Sequence, residues 1–343
     1  MKVMEVIEYA SGSGESPLMP DLMRDDAGGM NGLDPQLAAL LEQARGYCTR
    51  GKAQATRDAY QTDWEDFSAW CTEHHLPALP AVPGTVALYL TALIERGQKI
   101  NTLSRRLAAI SQAHQVMGYP TPTTSSLVRA VFTGIRRTHG SAPRGAGALM
   151  TEDIKRVLAT LPDTPLGVRD KALILLGFAG AFRRSELIAM NVEDLQERHE
   201  GLIVLLRRSK TDQEGRGRHV GIPYGAHAET CPVLALQAWL SRSGITEGAI
   251  FRGLNRHGKI VSSRLSLRAV GLIIKRSVTA AGLDPTRFSS HSLRVGHCTT
   301  AARAGVSERV IMAQSGHTTE RMVRRYVRDG GIFIENSASS LGL

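Results

Sequence analysis

Tyr326, near the carboxyl end, follows Gly316 and His317 and stands nine residues after the histidine; upstream in the same stretch, His291 and Arg294 are three apart. Residues three apart share one face of a helix, so that imidazole and that guanidinium can act on one ligand. The segment carrying Tyr326, from Thr319 to Arg328, is rich in arginine. These residue types can build an anion site with a phenol beside it. They fit equally a basic surface helix, a tyrosine tucked against a core and two histidines satisfied by backbone groups. Farther upstream Arg183 directly ends an apolar stretch. A guanidinium buried there needs a counter-ion, and Glu186, about one helical turn on, is the obvious one. Taken alone, a structural Arg–Glu pair at a helix junction is the simpler reading of that spacing.

The elements that must position these residues can be read from periodicity. Residues 1–33 are rich in Gly, Ser, Asp and Met without any period and are expected to be disordered. From Asp34 a helical pattern begins, with Leu37, Leu40 and Leu41 on its apolar face. Tyr60, Trp64, Phe67 and Cys71 form a buried stripe on a helix over about 56–75. Further helices are expected over about 83–96, 101–117 (burying Leu103, Leu107, Ile110 and Met117) and 125–138, stopped by Gly97 and Gly118. Residues 34–140 therefore read as a helical domain. A Gly/Ala/Pro-rich linker occupies 141–149, and a second domain covers 150–329. In it Thr151 is placed to cap a helix, residues 168–182 form an all-round apolar helix central to the core, and helices recur over about 232–243 and 265–280. Strand-like runs at 202–207 and 219–222 flank a polar loop holding Lys210, which reads as a β-hairpin with a long tip. The fold class expected is mainly α, with one small antiparallel sheet in the second domain.

The chain has 343 residues, 42 Lys+Arg and 32 Asp+Glu, for a net charge of +10. The first 33 residues carry two basic groups (Lys2, Arg24) and six acidic ones, so the remainder stands at +14. A body that basic points to a polyanionic partner, most simply nucleic acid; a soluble basic protein whose charge serves only colloidal stability is the plainer alternative. The four cysteines show neither Cys-x-x-Cys nor zinc spacing and read as small buried hydrophobes of a reducing compartment. No stretch has the length and hydropathy of a membrane span or a signal peptide, which leads to an expectation of a cytoplasmic, DNA-associated protein without a membrane. Cationic side chains on the polar helix faces of the first domain (Lys52, Arg57, Lys99, Arg105, Arg106, Arg136 and Arg137) are candidates for phosphate contact or plain solvation.

Taken together, the motifs resemble those of the tyrosine recombinases, the family of phage integrases and of Xer- and Cre-like enzymes. Ala-Phe-Arg183-Arg-Ser-Glu186-Leu looks like the family's first motif, His291-Ser-Leu-Arg294 like its His-x-x-Arg box, and Gly316-His317 followed by Tyr326 like its final motif. Lys210, between the first two, fits the family's mobile lysine. The stretch from Arg294 through Ala-Arg-Ala-Gly-Val-Ser is particularly similar to the Cre branch. Each motif alone is weak, whereas the ordered set, spanning about residues 36–330, is specific.

The resemblance implies a helical core-binding domain and a mixed catalytic domain closing as a C-shaped clamp on double-stranded DNA. The implied activity is site-specific recombination through a 3′-phosphotyrosyl intermediate and a Holliday junction, by a homo-tetramer on two DNA sites. It implies no metal and no cofactor. In that reading Arg183 and Arg294 clamp the two non-bridging oxygens of the phosphodiester bidentately and His317 completes the clamp. Tyr326 is the nucleophile, whose phenol leaves more readily than an alkanol. Lys210 is the general acid for the departing 5′-oxygen, His291 accepts the phenol proton or holds the phosphate, and Glu186 orients Arg183. Arg268 is expected to reach a guanine edge, Arg287 a backbone phosphate, and the tail 330–343 to dock on a neighbouring protomer, packing in cis or disorder being the alternatives. A type IB topoisomerase or telomere resolvase shares this chemistry, and a non-catalytic DNA-binding protein is the alternative from another class.

Overall fold

In the computed structural model, residues 54–140, 146–207 and 217–331 are described, with six isolated positions between 36 and 47. The expectations for residues 1–33, Lys52, the linker at 141–145, Lys210 and the tail beyond 331 lie outside them. The chain divides into two compact units, Met1–Pro143 and Arg144–Leu343. Among the described residues no helix is long and apolar enough to cross a membrane.

The first unit holds four described helices: α1 (Gln54–Glu73), α2 (Pro83–Glu95), α3 (Ile100–Val116) and α4 (Ser126–His139). The α1 stripe faces inward as its spacing requires, through Trp64, Phe67, Trp70 and Cys71, while Tyr60 stays half-buried. Leu90 and Leu93 of α2 and Leu103 and Ile110 of α3 close the same core. Of the polar groups buried with it, His114 and Asp63 are held by specific partners. His114 accepts from the Ala81 amide at Nε2 (2.8 Å) and bonds the Ile110 carbonyl at Nδ1 (2.8 Å), which assigns the Nδ1–H tautomer. Asp63, 1% exposed, accepts from both Nε and Nη2 of Arg105 (2.7 and 3.0 Å). Arg106 bonds Asp66 and the Tyr89 hydroxyl. Two of the arginines expected to meet phosphate thus brace α1, α2 and α3 against one another.

The second unit is built around α6 (Pro165–Ala179), preceded by α5 (Thr151–Ala159) and followed by α7 (Arg184–Ala189). Thr151 is not the cap of α5: it is the first helical residue, and the Asp153 carboxylate accepts from the Met150 amide instead (3.2 Å). Helix α6 is buried nearly all round and packs on α8 (Pro232–Ser243). It ends at Ala179, short of the expected 182, because Ala181 adopts the left-handed conformation (φ 49°). Strands β1 (Leu195–Arg198), β2 (Gly201–Leu206) and β3 (Arg218–Pro223) form an antiparallel sheet in that order, with Leu202 opposite Ile222 and Val204 opposite Val220. A second hairpin, β4 (Arg252–Leu254) with β5 (Ile260–Arg264), makes two sheets where one was expected.

The remaining helices are α9 (Leu267–Ala280), α10 (Ser292–Arg303), α11 (Glu308–Ser315) and α12 (Glu320–Gly331). At the α6–α9 contact, buried Arg169 and exposed Arg276 both pair with Asp170, itself 1% exposed. The chain entering this unit lies along the start of α10, with the Gly147 amide donating to Arg287 O (2.7 Å) and the Leu149 amide to Ser292 O (3.2 Å). A β-carbon on Gly296 would fall 1.8 Å from Leu149 O, so only glycine allows that approach.

Candidate functional site

The site gathers at the C-terminus of α11. The last carbonyls of a helix have no partner inside it, and the end of the helix dipole adds negative potential there. Gly316 closes α11 in the left-handed conformation (φ 66°), its amide returning to Met312 O (2.7 Å). Three guanidiniums take the carbonyls that follow. Arg218, at the start of β3, donates from Nη1 to Ala313 O (3.2 Å) and Gln314 O (3.0 Å). Arg294, on the first turn of α10, donates from Nη1 to Ser315 O and to Ala181 O (2.7 Å). Arg183, immediately before α7, reaches Gly316 O from Nη2 at 3.4 Å. Gln314 fastens the same turn to Ala179 O (3.1 Å) and Gly221 O (3.0 Å) through its side-chain amide.

A single buried carboxylate faces this cluster. Glu186 accepts from Arg183 twice, from the backbone amide (2.9 Å) and from Nη1 (2.6 Å). The i, i+3 pair expected from the spacing is therefore present, and it leaves two further guanidiniums without an acidic partner among the described residues. Arg294 is 1% exposed, and its Nε and Nη2 have no hydrogen-bond partner among the described residues. Burial, and then the charge of Arg183, lowers its pKa to about 10. A buried donor left unmade costs about 1–3 kcal/mol, and this one guanidinium carries two. Tyr326 on α12 is half-buried against Ile311 and Cys298, with its ring centroid 5.7 Å from that of His317.

Residues 148–330 match the phage integrase family. An integrase/recombinase xerD homolog of Selenomonas ruminantium is 41% identical over 306 residues, covering 88% of this chain and 89% of that protein. The chain belongs to the phage integrase family, the tyrosine recombinases. Recombinase cre of Escherichia phage P1 is 28% identical over 282 residues, covering 77% and 80%. In fold this recombinase resembles the XerH site-specific recombinase bound to a palindromic difH substrate, at a TM-score of 0.64 and 14% identity over 99% of this chain and 94% of that one. It also resembles the lambda integrase tetramer bound to a Holliday junction, at 0.56 and 16% over 97% and 87%.

His317 and His291 are both pushed toward the neutral form. Ser315 Oγ donates to Ile311 O (2.6 Å), so at its 2.7 Å contact with His317 it accepts, which puts the ring proton on Nδ1. Burial, followed by the charges of Arg294 and Arg183, pushes the His317 pKa down to about 3. His291 is lowered by the same three causes in the same order, although it lies at the surface. A histidine depressed on folding stabilises the fold fully above its unfolded value, about 6.5, and loses that contribution as pH falls from there toward the folded value. His114 and His297 shift the same way, burial leading. The urea midpoint should therefore fall between pH 7.5 and 5. Each such histidine contributes at most about 1.4 kcal/mol per pH unit, and His317→Asn should flatten part of the slope. A midpoint independent of pH over that range would contradict neutral buried imidazoles.

The structure thus brings Arg183, Glu186, His291, Arg294, His317 and Tyr326 into one neighbourhood. Arg268 at the start of α9, Arg287, Lys99, Arg136 and Arg137 are exposed. Arg105 and Arg106 are engaged as described, and Arg106 keeps only 11% of its side chain exposed. Arg218 was missed by the sequence reading. Its signal is a strand period of two: Val220 and Ile222 point inward, and Arg218 shares their face, an unusual place for a cation.

Proposed function

We propose that this tyrosine recombinase cuts and rejoins DNA by passing one strand's 3′-phosphate onto Tyr326. The phenolic oxygen attacks phosphorus, the P–O5′ bond breaks, and a proton moves to the departing 5′-oxygen; reversal by another strand's 5′-hydroxyl restores the phosphodiester. Energy stays in the phosphotyrosyl bond, so no nucleotide is consumed. Arg183 and Arg294 hold the non-bridging oxygens, whose charge grows in the transition state. His317 supports the same oxygens. Because its Nδ1–H is committed to Ser315, donation from Nε2 requires either the imidazolium, which an arriving phosphate anion favours, or a turn of the Ser315 hydroxyl. His291, neutral, takes the phenol proton, Lys210 gives one to the leaving oxygen, and Glu186 keeps Arg183 in place.

One observation carries this reading: the buried, unpartnered Nε and Nη2 of Arg294 in a cluster of three guanidiniums and one carboxylate, with a tyrosine alongside. Assembly of four protomers on two DNA sites, with exchange through a Holliday junction, is the corresponding proposal for the complex; the lambda integrase neighbour is a tetramer bound to a Holliday junction. The test is a target duplex nicked just beyond the cleavage point, so that the short 5′-hydroxyl product diffuses away. Wild-type protein should accumulate an SDS-stable complex with the labelled strand, mapping to Tyr326. Specific binding without capture would instead identify a DNA-binding protein with an inert site.

A further inference from the structure

We propose that Arg218 is a positioning residue for strand cleavage, fixing the Gly316–His317 turn that receives the phosphodiester. The inference rests on the function proposed above and assigns a role to a residue outside the motifs that suggested it.

The side chain leaves β3 on its inward face and crosses to α11, where one nitrogen, Nη1, spans the two carbonyls of Ala313 and Gln314. The rest of the guanidinium lies against Gly316. A β-carbon built there would stand 2.9 Å from both Cζ and Nε of Arg218 and 3.1 Å from Nη2. Gly316 therefore answers to two constraints, the left-handed backbone and the plane of Arg218 pressed on its α-carbon. The next residue is His317. Any movement of that guanidinium is a movement of the turn presenting His317, and of the carbonyl that Arg183 contacts at 3.4 Å.

A helix end needs no arginine for capping alone. Water, a glycine turn or a surface lysine satisfies such carbonyls at exposed termini. Here the cap is half-buried, its Nε and Nη2 lack partners among the described residues, and the attraction of Glu186 is offset by burial and by another cation, Arg183. That placement is costly for stability. It makes sense where the geometry of the turn matters more than its energy. One nitrogen bridging two successive carbonyls, on a planar group whose remaining atoms lie against Gly316, sets orientation as well as distance, which a freely turning ammonium does not. A misplacement of about 1 Å in such a turn costs a phosphoryl-transfer site on the order of 10²-fold in rate.

Arg218→Met keeps the apolar stem and removes every donor. Compared with wild type on the nicked duplex, it should bind with a half-saturating DNA concentration within about threefold. At saturating DNA it should form the covalent complex about 10- to 100-fold more slowly. The same deficit should appear on a duplex with sulfur in place of the bridging 5′-oxygen, because a thiolate leaves without a proton and the defect is not in leaving-group activation. Millimolar guanidinium should return part of the rate to Arg218→Ala, a response that loosened packing would not give. Capture at the wild-type rate by Arg218→Met, or full recovery on the sulfur substrate, would overturn the inference. If Arg218→Met does not melt cooperatively near the wild-type temperature, Arg218→Lys replaces it: slow capture by a folded lysine variant supports the role and full-speed capture overturns it. Failure of the wild type itself to capture DNA would count against the proposed function rather than against Arg218.

Discussion

Replacing Tyr326 by phenylalanine is expected to leave DNA binding unchanged and to lower covalent capture by at least about 10⁴-fold, the scale seen when a nucleophile is removed from an otherwise intact site. The ring is half-buried beside Ile311, Cys298 and Val323, and stands 5.7 Å from His317 between centroids. Phenylalanine fills the same volume, so the packing of α12 on α10 and α11 survives. Only the oxygen is lost, and with it both halves of the chemistry: the atom that attacks phosphorus and the phenolate that later leaves. Neither guanidiniums nor the neutral imidazoles of His291 and His317 can supply a replacement that regenerates a phosphodiester. The measurement is the SDS-stable fraction on a nicked duplex, set beside a band-shift titration of the same preparation. If strand exchange persists in Tyr326→Phe, the phosphotyrosyl step is wrong, whatever the arginines do.

What could be read in advance, and what could not, follows from the range over which each interaction acts. The stripe Trp64–Phe67–Cys71 and the runs that became β2 and β3 are local periodicities, and periodicity survives in sequence. The Arg183–Glu186 pair is local as well, three residues apart, and was legible as a counter-ion before its geometry was known. Strand β1, Leu-Gln-Glu-Arg, has no alternation of its own and exists because β2 offers it an edge; its pattern of exposure announces nothing. The short β4–β5 hairpin is of the same kind. The gathering of Arg183, Arg218 and Arg294 at one helix end depends on contacts that span 133, 96 and 21 residues, and no spacing rule reaches that far. The fate of Arg105 and Arg106 was hidden for the same reason: Asp63 and Asp66 lie about forty residues upstream, one helix away in space. A basic residue on a polar face can be read from sequence as a phosphate candidate, whereas its carboxylate partner on the adjoining helix cannot be.

Arg294→Lys should cut the second-order rate of covalent capture by about 10³-fold or more, within the range for an arginine that stabilises a phosphoryl-transfer transition state. It should also give what remains a new dependence on pH. The arginine spends Nη1 on Ser315 O and Ala181 O and has Nε and Nη2 buried and unpartnered. Held by one edge, it can present the other to a phosphate as two parallel donors. A lysine that keeps the carbonyl contacts has no second edge, and one that turns to the phosphate abandons Ala181, whose strained backbone (φ 49°) that contact helps to hold. The charge is at risk as well. Burial and Arg183 bring Arg294 from its ordinary 12.5 to about 10. The same burial and the same neighbouring cation acting on a lysine, ordinarily about 10.4, would lower it from there. Only the charged form can serve the phosphate, and kcat/KM reports groups of the free enzyme. The residual activity of Arg294→Lys should therefore fall with rising pH already below the ordinary lysine value, over a range where the wild-type profile stays flat. Equal pH profiles would mean that residue 294 does not lie in the buried field described here, and a rate within tenfold of wild type would mean that its unpartnered edge is not where the phosphate binds.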